Sequence, residues 1–238
     1  MNKTAWTITK INIKVSSWLI FATMTTFLAM FISSLINFLV MSGAQGNGSD
    51  ISPTNALWLL PVMVGIGIPA YNFRRIINLG GKRDTFLWGS AATYVIIAAI
   101  VSLLVTLSNF TIEPLLERHE YFNHAFLGGI ANLVEVFGWA QRGFAVAFLQ
   151  QFAFLLLFAA FVHSFTAAWG KWYGWVAAVG IIAIISVFTP IPVLRRSLVW
   201  FFNLIIFNPN PLLQIIACLV LAAGIYALSW PLFARKSI

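Results

Sequence analysis

The segment His119–His124, which reads HEYFNH, carries the residue types of a zinc site. A zinc peptidase of the His-Glu-x-x-His kind holds its metal with two histidines four residues apart, because residues i and i+4 share one face of a helix. Here the spacing is five, which sets the two imidazoles about 140° apart around a helix. The sequence therefore predicts that His119 and His124 bind no metal and belong to a polar, water-exposed segment.

The third histidine, His163, lies inside a long apolar run. An ionisable residue within a membrane span is by default a candidate for substrate contact or proton transfer. No carboxylate is expected at the same depth to pair with it, so a hydrogen bond to a neighbouring helix is the alternative interpretation. Cys218 is the single cysteine and also lies in an apolar run, which excludes an intrachain disulfide and favours a small core residue.

Catalytic signatures are missing from the sequence. It contains no G-x-S-x-G nucleophile motif and no G-x-x-x-x-G-K-[ST] phosphate-binding loop. None of the six acidic residues falls deep in an apolar run, which argues against a proton-coupled pump. The sequence thus predicts a chain without enzyme activity or a cofactor of its own, and any energy for transport must come from another subunit.

The composition is that of a membrane protein. Of the 238 residues, 61% are hydrophobic and only 8% are charged, whereas a soluble domain carries about 25% charged residues. Apolar runs of about 20 residues can cross the hydrocarbon core as helices. We expect an all-α, polytopic fold in one transmembrane domain, residues 1–238, with six spans: Trp18–Val40, Thr54–Tyr71, Phe86–Ser108, Phe144–Phe165, Trp172–Thr189 and Leu212–Phe233.

The net charge of +8 is unevenly distributed along these spans. Segments expected in the cytoplasm hold ten of the fourteen Lys and Arg residues, and only Asp84 of the six acidic residues. This is the positive-inside bias that orients membrane proteins. It predicts a multi-pass protein of the cell membrane with both termini in the cytoplasm. Because this bias accounts for the basic charge, no nucleic-acid partner is expected.

Residues 1–17 precede the first span and have an amphipathic pattern. At 100° per residue, three lysines fall in one narrow sector and three branched apolar residues on another side: Lys3, Lys10 and Lys14, and Ile8, Ile11 and Val15. The pattern predicts an elbow helix lying on the membrane surface. The alternative is a basic flank that only orients the first span, and residues 18–238 form the six-span part in either case.

Two connections on the expected outer side are unusual. Residues 110–143 are too long for a plain loop, so we expect one or two short helices there. The run Leu198–Phe207 is too short to cross the bilayer and is bounded by prolines on both sides. It is therefore expected to dip into the membrane and return, as a re-entrant or interfacial half-helix.

A basic loop, Asn72–Gly89, separates the second and third apolar runs and holds four of the fourteen Lys and Arg residues. Phe73, Ile76 and Ile77 can share one face of a short transverse helix, which Gly80-Gly81 would end because glycine accepts the left-handed C-cap conformation. The alternative is an ordinary positive-inside loop whose long basic side chains reach the headgroups.

This loop resembles that of a known family. The run Phe73-Arg74 … Leu79-Gly80-Gly81-Lys82-Arg83-Asp84-Thr85-Phe86 … Gly89 is similar to the loop between the second and third spans of ABC-2 type exporter permeases, with Gly81-Lys82 where Val-Ser is commoner. The expected span pattern, N-terminal helix, cytoplasmic termini and outer re-entrant helices are also similar to those of the short bacterial members.

The resemblance implies a permease subunit of an ATP-binding cassette exporter, paired with a second permease copy or a sister permease and with separate ATPase subunits that carry ATP and Mg²⁺. It implies an amphipathic substrate, such as a peptide, an antimicrobial or a lipid-linked molecule. The ATPase would be met by Phe73, Arg74, Arg75, Ile76, Ile77, Leu79, Gly80, Lys82 and Arg83. An outer re-entrant gate would comprise Arg195, Arg196, Trp200, Phe201 and Phe202.

Two other classes remain open at this point. A membrane scaffold or assembly protein would use the same basic loop as a docking site but would need no ATPase. A membrane-embedded enzyme would need polar groups that converge at one depth, and the sequence shows no motif of that kind.

Overall fold

The computed structural model describes residues 3–40, 53–112, 132–169 and 171–234. Every regular element within these ranges is helical, which confirms the all-α class for the described part. Short 3₁₀ turns cover Pro53–Trp58 and Ala140–Arg142, and π-helical turns cover Ile68–Asn72 and Ser108–Ile112. In chain order the α-helices are α1 (Lys3–Val15), α2 (Ser17–Val40), α3 (Leu59–Gly67), α4 (Phe73–Asn78), α5 (Arg83–Leu107), α6 (Leu133–Val136), α7 (Phe144–Ala168), α8 (Trp172–Phe188), α9 (Pro192–Ile205) and α10 (Pro211–Ala234).

Four continuous helical segments of the described ranges are long and apolar enough to cross a membrane: Thr54–Asn78, Arg83–Thr111, Phe144–Ala168 and Pro211–Phe233. Two bent pairs raise the number to as many as six. One pair is α1 with the start of α2, bent by 45°, and the other is α8 with α9, bent by 118°. The first and fifth expected spans therefore belong to bent pairs, whereas the other four correspond to continuous helices.

The segment from the second span to the basic loop differs from the sequence expectation. Thr54–Asn78 is one continuous helical segment, so α4 is the end of a span and the expected short transverse helix is wrong. Pro69 explains the irregular turn inside it, because proline supplies no backbone N–H to the helical ladder. The π turn Ile68–Asn72 accommodates the missing hydrogen bond, and the regular α-helix continues after it as α4.

Helices α7 and α10 run parallel and form the most extensive pairing in the described bundle. Near their starts Gln150 Nε2 donates to Gln214 Oε1, and near their ends Ser164 Oγ donates to the Ile225 carbonyl at 2.9 Å. Between these bonds the two helices pack mainly through small residues. The contact set is Ala153, Leu157 and Ala160 on α7 and Cys218 and Ala222 on α10. Small residues allow close helix approach where lipid offers no hydrophobic gain.

The N-terminal helix α1 packs on the beginning of α5. Gly89 makes the approach possible, because a Cβ there would lie 2.6 Å from Ile8 Cγ2. Thr9 Oγ1 donates to the Gly89 carbonyl at 3.2 Å, and Asn72 Nδ2 donates to Asn12 Oδ1 at 3.0 Å. The lysines of α1 are exposed as expected, but its packed side is partly polar because Thr9 and Asn12 are fully buried.

Candidate functional sites at the two ends of the bundle

The basic loop ends α4 with two glycines, as the sequence predicts. Gly80 has φ +83°, its N–H donates to the Ile77 carbonyl at 2.9 Å, and the Gly81 N–H donates to the Ile76 carbonyl at 3.0 Å. This pair of bonds is the Schellman C-cap. A Cβ on Gly81 would lie 2.6 Å from Ile76 Cγ2, so the second glycine is needed for space.

Two of the apolar residues expected to meet the ATPase point into the bundle. Phe73 and Ile76 are buried, and Ile77 is partly buried. The Phe73 ring lies 4.7 Å from that of Phe233 and 5.2 Å from that of Phe86, measured between centroids. In this structure Phe233, at the end of α10, packs on Phe73, so Phe73 is not part of the exposed side of α4.

The opposite side of α4 is open. Arg74 and Arg75 are exposed, and neither forms an ion pair with any residue of the described ranges. Tyr71 and Leu79 flank them with 75% and 78% of their surfaces exposed. Lys82 is exposed and Arg83 partly so. A basic surface with an apolar residue at each side results, and we call it the α4 surface: Tyr71, Arg74, Arg75, Leu79 and Lys82.

A buried cluster lies next to the aromatic contacts of Phe73 and joins α5, α7 and α10. Tyr94 Oη and His163 Nδ1 share a hydrogen bond of 2.6 Å, and the His163 ring lies 5.0 Å from that of Tyr226 and 5.3 Å from that of Phe233. Tyr226 Oη donates to the Leu87 carbonyl at 2.6 Å. The alternative interpretation of His163, a hydrogen bond to a neighbouring helix, is confirmed.

At the other end of the bundle, aromatic side chains fix the 3₁₀ turns and the chain that follows α9. The rings of Trp58 and Trp139 stack with centroids 6.0 Å apart, and both contact Phe137 and Phe154. Trp139 is fully buried, and its Nε1 donates to the Ile206 carbonyl at 3.0 Å. The short elements α6 and Ala140–Arg142 agree with the short helices expected in residues 110–143, of which 113–131 lie outside the described residues.

The C-terminal end of α9 lies against the first turns of α10. The Ile205 carbonyl accepts from Gln214 Nε2 at 3.0 Å and from Cys218 Sγ at 3.4 Å, and the Asn208 carbonyl accepts from Arg142 Nη2 at 2.7 Å. Carbonyls at a helix end have no partner within the helix, and lipid supplies none. These side chains therefore allow α9 to end inside an apolar bundle.

The five residues expected to form an outer gate all lie on α9 and are exposed: Arg195, Arg196, Trp200, Phe201 and Phe202. The rings of Phe201 and Phe202 contact each other at 5.8 Å. The structure brings these residues onto one helix, beside an open groove on the α9 surface.

The buried amides are functional candidates that the sequence analysis above passes over. Gln150, Gln151 and Gln214 are all fully buried, and neither polar atom of Gln151 has a hydrogen-bond partner among the described residues. Two features of the sequence could have indicated these buried amides. Gln150 and Gln151 are adjacent within one apolar run, and Gln214 lies within another. No group of three or more metal-binding side chains occurs in the described ranges, while His119 and His124 lie outside them.

Comparison with protein-family models, with curated proteins and with solved structures finds no match to this chain. The functional argument therefore rests on the residues and geometry given above.

Proposed function

We propose that the chain is the permease subunit of an ABC-2 type exporter, which a separate ATPase drives to move an amphipathic substrate across the cell membrane. The observation that carries the proposal is the α4 surface. This surface is basic and exposed, and within the described ranges neither Arg74 nor Arg75 forms an ion pair. It lies at the end of a continuous span-length helix. A soluble partner that moves this surface moves a membrane helix.

The contacts behind the α4 surface supply the mechanical link. Phe73 joins α4 to Phe86 of α5 and to Phe233 of α10. Asn72 joins the same turn to Asn12 of α1. Closely packed cores shift between discrete arrangements and do not deform continuously. Under this proposal, closure of the ATPases presses on α4, and the aromatic contacts pass the displacement to the spans on either side.

The chemistry of the partner's docking site follows from the exposed side chains. Arg74 and Arg75 require a rim of carboxylates, because guanidinium groups bind carboxylates with two parallel hydrogen bonds. Leu79 requires a small apolar pocket beside that rim. Phe73 and Ile76 hold the surface in place from behind, and Gly80 gives the chain the sharp exit that leaves Leu79 exposed.

The orientation belongs to the same proposal. The starts of α1 and α5 and the ends of α4, α7 and α10 meet at one end of the bundle, which carries Lys3, Lys10, Lys14, Arg74, Arg75, Lys82, Arg83 and Lys171. We assign this basic end to the cytoplasm. Six spans, an elbow role for α1, a re-entrant α8–α9 pair on the outside and a permease dimer complete the proposed arrangement.

Co-purification tests the proposal. The tagged chain, extracted from its native membrane, is expected to retain a P-loop ATPase without spans of its own, and the reconstituted complex is expected to hydrolyse ATP faster in the presence of an amphipathic peptide. Arg75→Glu is expected to lose the ATPase in a salt-dependent way. Lys171→Glu is the matched control, because it reverses one exposed charge at the same end but outside the α4 surface.

Retention of the ATPase by the Lys171→Glu variant and its loss from the Arg75→Glu variant would support the coupling role. A wild-type chain that retains no ATPase under conditions where it stays folded would favour the scaffold alternative. An ATPase that stays bound and fully stimulated in the Arg75→Glu variant would refute the assignment of the α4 surface.

A further inference from the structure

The pair Arg195-Arg196 lies near the start of α9, whose 14 residues make it about 21 Å long. α9 turns back from α8 at a bend of 118°. Its end, Ile205, is bonded to Gln214 and Cys218 in the first turns of α10. Charged side chains near helix ends reach the water and headgroups of a membrane boundary. We therefore place the basic start of α9 at that boundary and its bonded end deeper.

A groove follows one face of α9 from this boundary inward. Its lining residues have the spacing of a single helix face, and it has room for about 330 Å³. All of its lining residues belong to α9, so the groove is open on its other sides and leaves room for the acyl chains of a lipid. The groove is lined by Pro192, Arg195, Arg196, Val199, Trp200 and Asn203.

The charges in this part of the chain are all of one sign. Residues 136–238 contain no Asp or Glu, and neither arginine of the pair forms an ion pair with a described residue. Arginine side chains near a helix end extend to the level of the headgroups, where lipid phosphates are the available anions. Phosphate oxygens match the planar fork of arginine and accept two hydrogen bonds at once.

The order of residues along the groove matches the order of groups in a phospholipid. The arginines lie at the boundary, and Val199 and Trp200 follow one turn deeper, with Trp200 66% exposed. Tryptophan is typical of the zone between headgroups and acyl chains. We infer that this face of α9 binds an anionic phospholipid, with its phosphate on Arg195 and Arg196 and its glycerol and upper acyl chain against Val199 and Trp200.

This site differs from the outer gate expected from the sequence, because its ligand is a resident lipid of the surrounding leaflet and not the transported substrate. It stands independently of the proposed function. A free phosphate ion would use the arginines but not the apolar wall, whereas a lipid uses both.

The test measures bound lipid directly. The chain is purified in detergent, exposed to equal amounts of phosphatidylglycerol and phosphatidylcholine, and analysed by native mass spectrometry. The wild type is expected to retain phosphatidylglycerol with about tenfold preference, because both lipids carry the phosphate but only phosphatidylcholine also carries a quaternary ammonium, which the two arginines repel. Arg195→Gln with Arg196→Gln is expected to abolish the preference, and Trp200→Ala is expected to weaken retention of the same lipid.

The control is the double change Arg74→Gln with Arg75→Gln, which removes the same two charges from another adjacent arginine pair. It is expected to keep the preference. Equal loss in both double variants would show non-specific charge attraction and overturn the inference. So would a wild type that does not discriminate between the two lipids, or one from which millimolar inorganic phosphate displaces the lipid. Arg195→Lys with Arg196→Lys, which keeps the charge but not the planar fork, is expected to lie between wild type and the glutamine variant and guards against misfolding as the cause.

Discussion

At the scale of single residues, the described bundle contains three fully buried glutamines in different bonding states. Gln214 is bonded to Gln150 and to the Ile205 carbonyl, whereas Gln151 bonds to no described residue. A buried amide without partners carries its full desolvation cost, and a bonded one does not. The two glutamines should therefore respond in opposite ways to the same substitution.

Gln151→Leu is expected to raise the unfolding temperature, because it removes unpaired buried polar atoms worth about 1–3 kcal/mol. Gln214→Leu is expected to lower it, because the substitution leaves Gln150 and the Ile205 carbonyl without that partner. Thermal unfolding of the purified chain in one detergent measures both. Equal destabilisation by the two changes would mean that Gln151 has a partner the described contacts do not include.

Substitutions at Phe73 and at Leu79 should distinguish an effect on folding stability from an effect on ATPase binding. Phe73→Ala is expected to cost about 3 kcal/mol, the lower end for a buried phenylalanine, because lipid and not water is the reference for much of this bundle. Leu79→Ala is expected to leave the unfolding temperature unchanged, since the side chain is 78% exposed. If the proposed function holds, Leu79→Ala also weakens ATPase binding by about 2 kcal/mol, which is the contribution of an exposed leucine side chain that becomes buried in an apolar pocket. Titration of the ATPase onto the two variants measures the difference.

At the scale of elements, part of the arrangement was readable from the sequence. Length and hydropathy predicted the four continuous span-length helices, and Gly80-Gly81 predicted the end of α4. The sequence did not predict which face of α4 points into the bundle. Phe73 and Ile76 form an apolar pair on any helix, but Phe233, which packs on Phe73, is distant in sequence. The π turn Ile68–Asn72 also adds one residue to a turn, which rotates everything after it by about 100° relative to a regular helix.

The packing of α1 on α5 depends on one glycine. Gly89→Leu is expected to separate the two helices, because even a Cβ would lie 2.6 Å from Ile8 Cγ2 and 3.0 Å from the Ala5 carbonyl oxygen. Trypsin should then cut faster after Lys10 and Lys14. Gly180→Leu is the matched control, since no atom lies within 4 Å of the Cβ position at Gly180. Unchanged cleavage in the Gly89→Leu variant would contradict the described contact.

At the scale of the whole molecule, most of the basic residues lie at one end of the bundle, and each end has its own aromatic cluster. The basic end holds α1, the α4 surface and the Phe73–Phe86–Phe233 contacts, while the opposite end holds Trp58, Trp139 and the return from α9. Sequence alone predicted this division through the positive-inside bias. It could not predict that the end of α9 is held by Arg142 and Trp139, because side-chain bonds to distant carbonyls leave no periodic pattern.

The orientation can be measured by cysteine labelling in a Cys218→Ser background. Lys82→Cys is expected to react with a membrane-impermeant maleimide only after the cells are opened, because we assign the basic end to the cytoplasm. Val193→Cys, at the exposed start of α9, is expected to react in intact cells. Labelling of the residue-82 thiol from outside would invert the proposed topology.

α10 follows all of its partner helices in chain order, which has a consequence for biosynthesis. This helix supplies Phe233 to Phe73, Tyr226 to the Leu87 carbonyl, and Gln214 to both Gln150 and the end of α9. Domains fold in the order in which they are synthesised, from the N-terminus, so each of those groups lacks its partner until α10 has been translated. The bundle is therefore incomplete until these 24 residues of helix are made, and a premature stop before Pro211 would leave buried polar groups without partners and expose the chain to proteolysis.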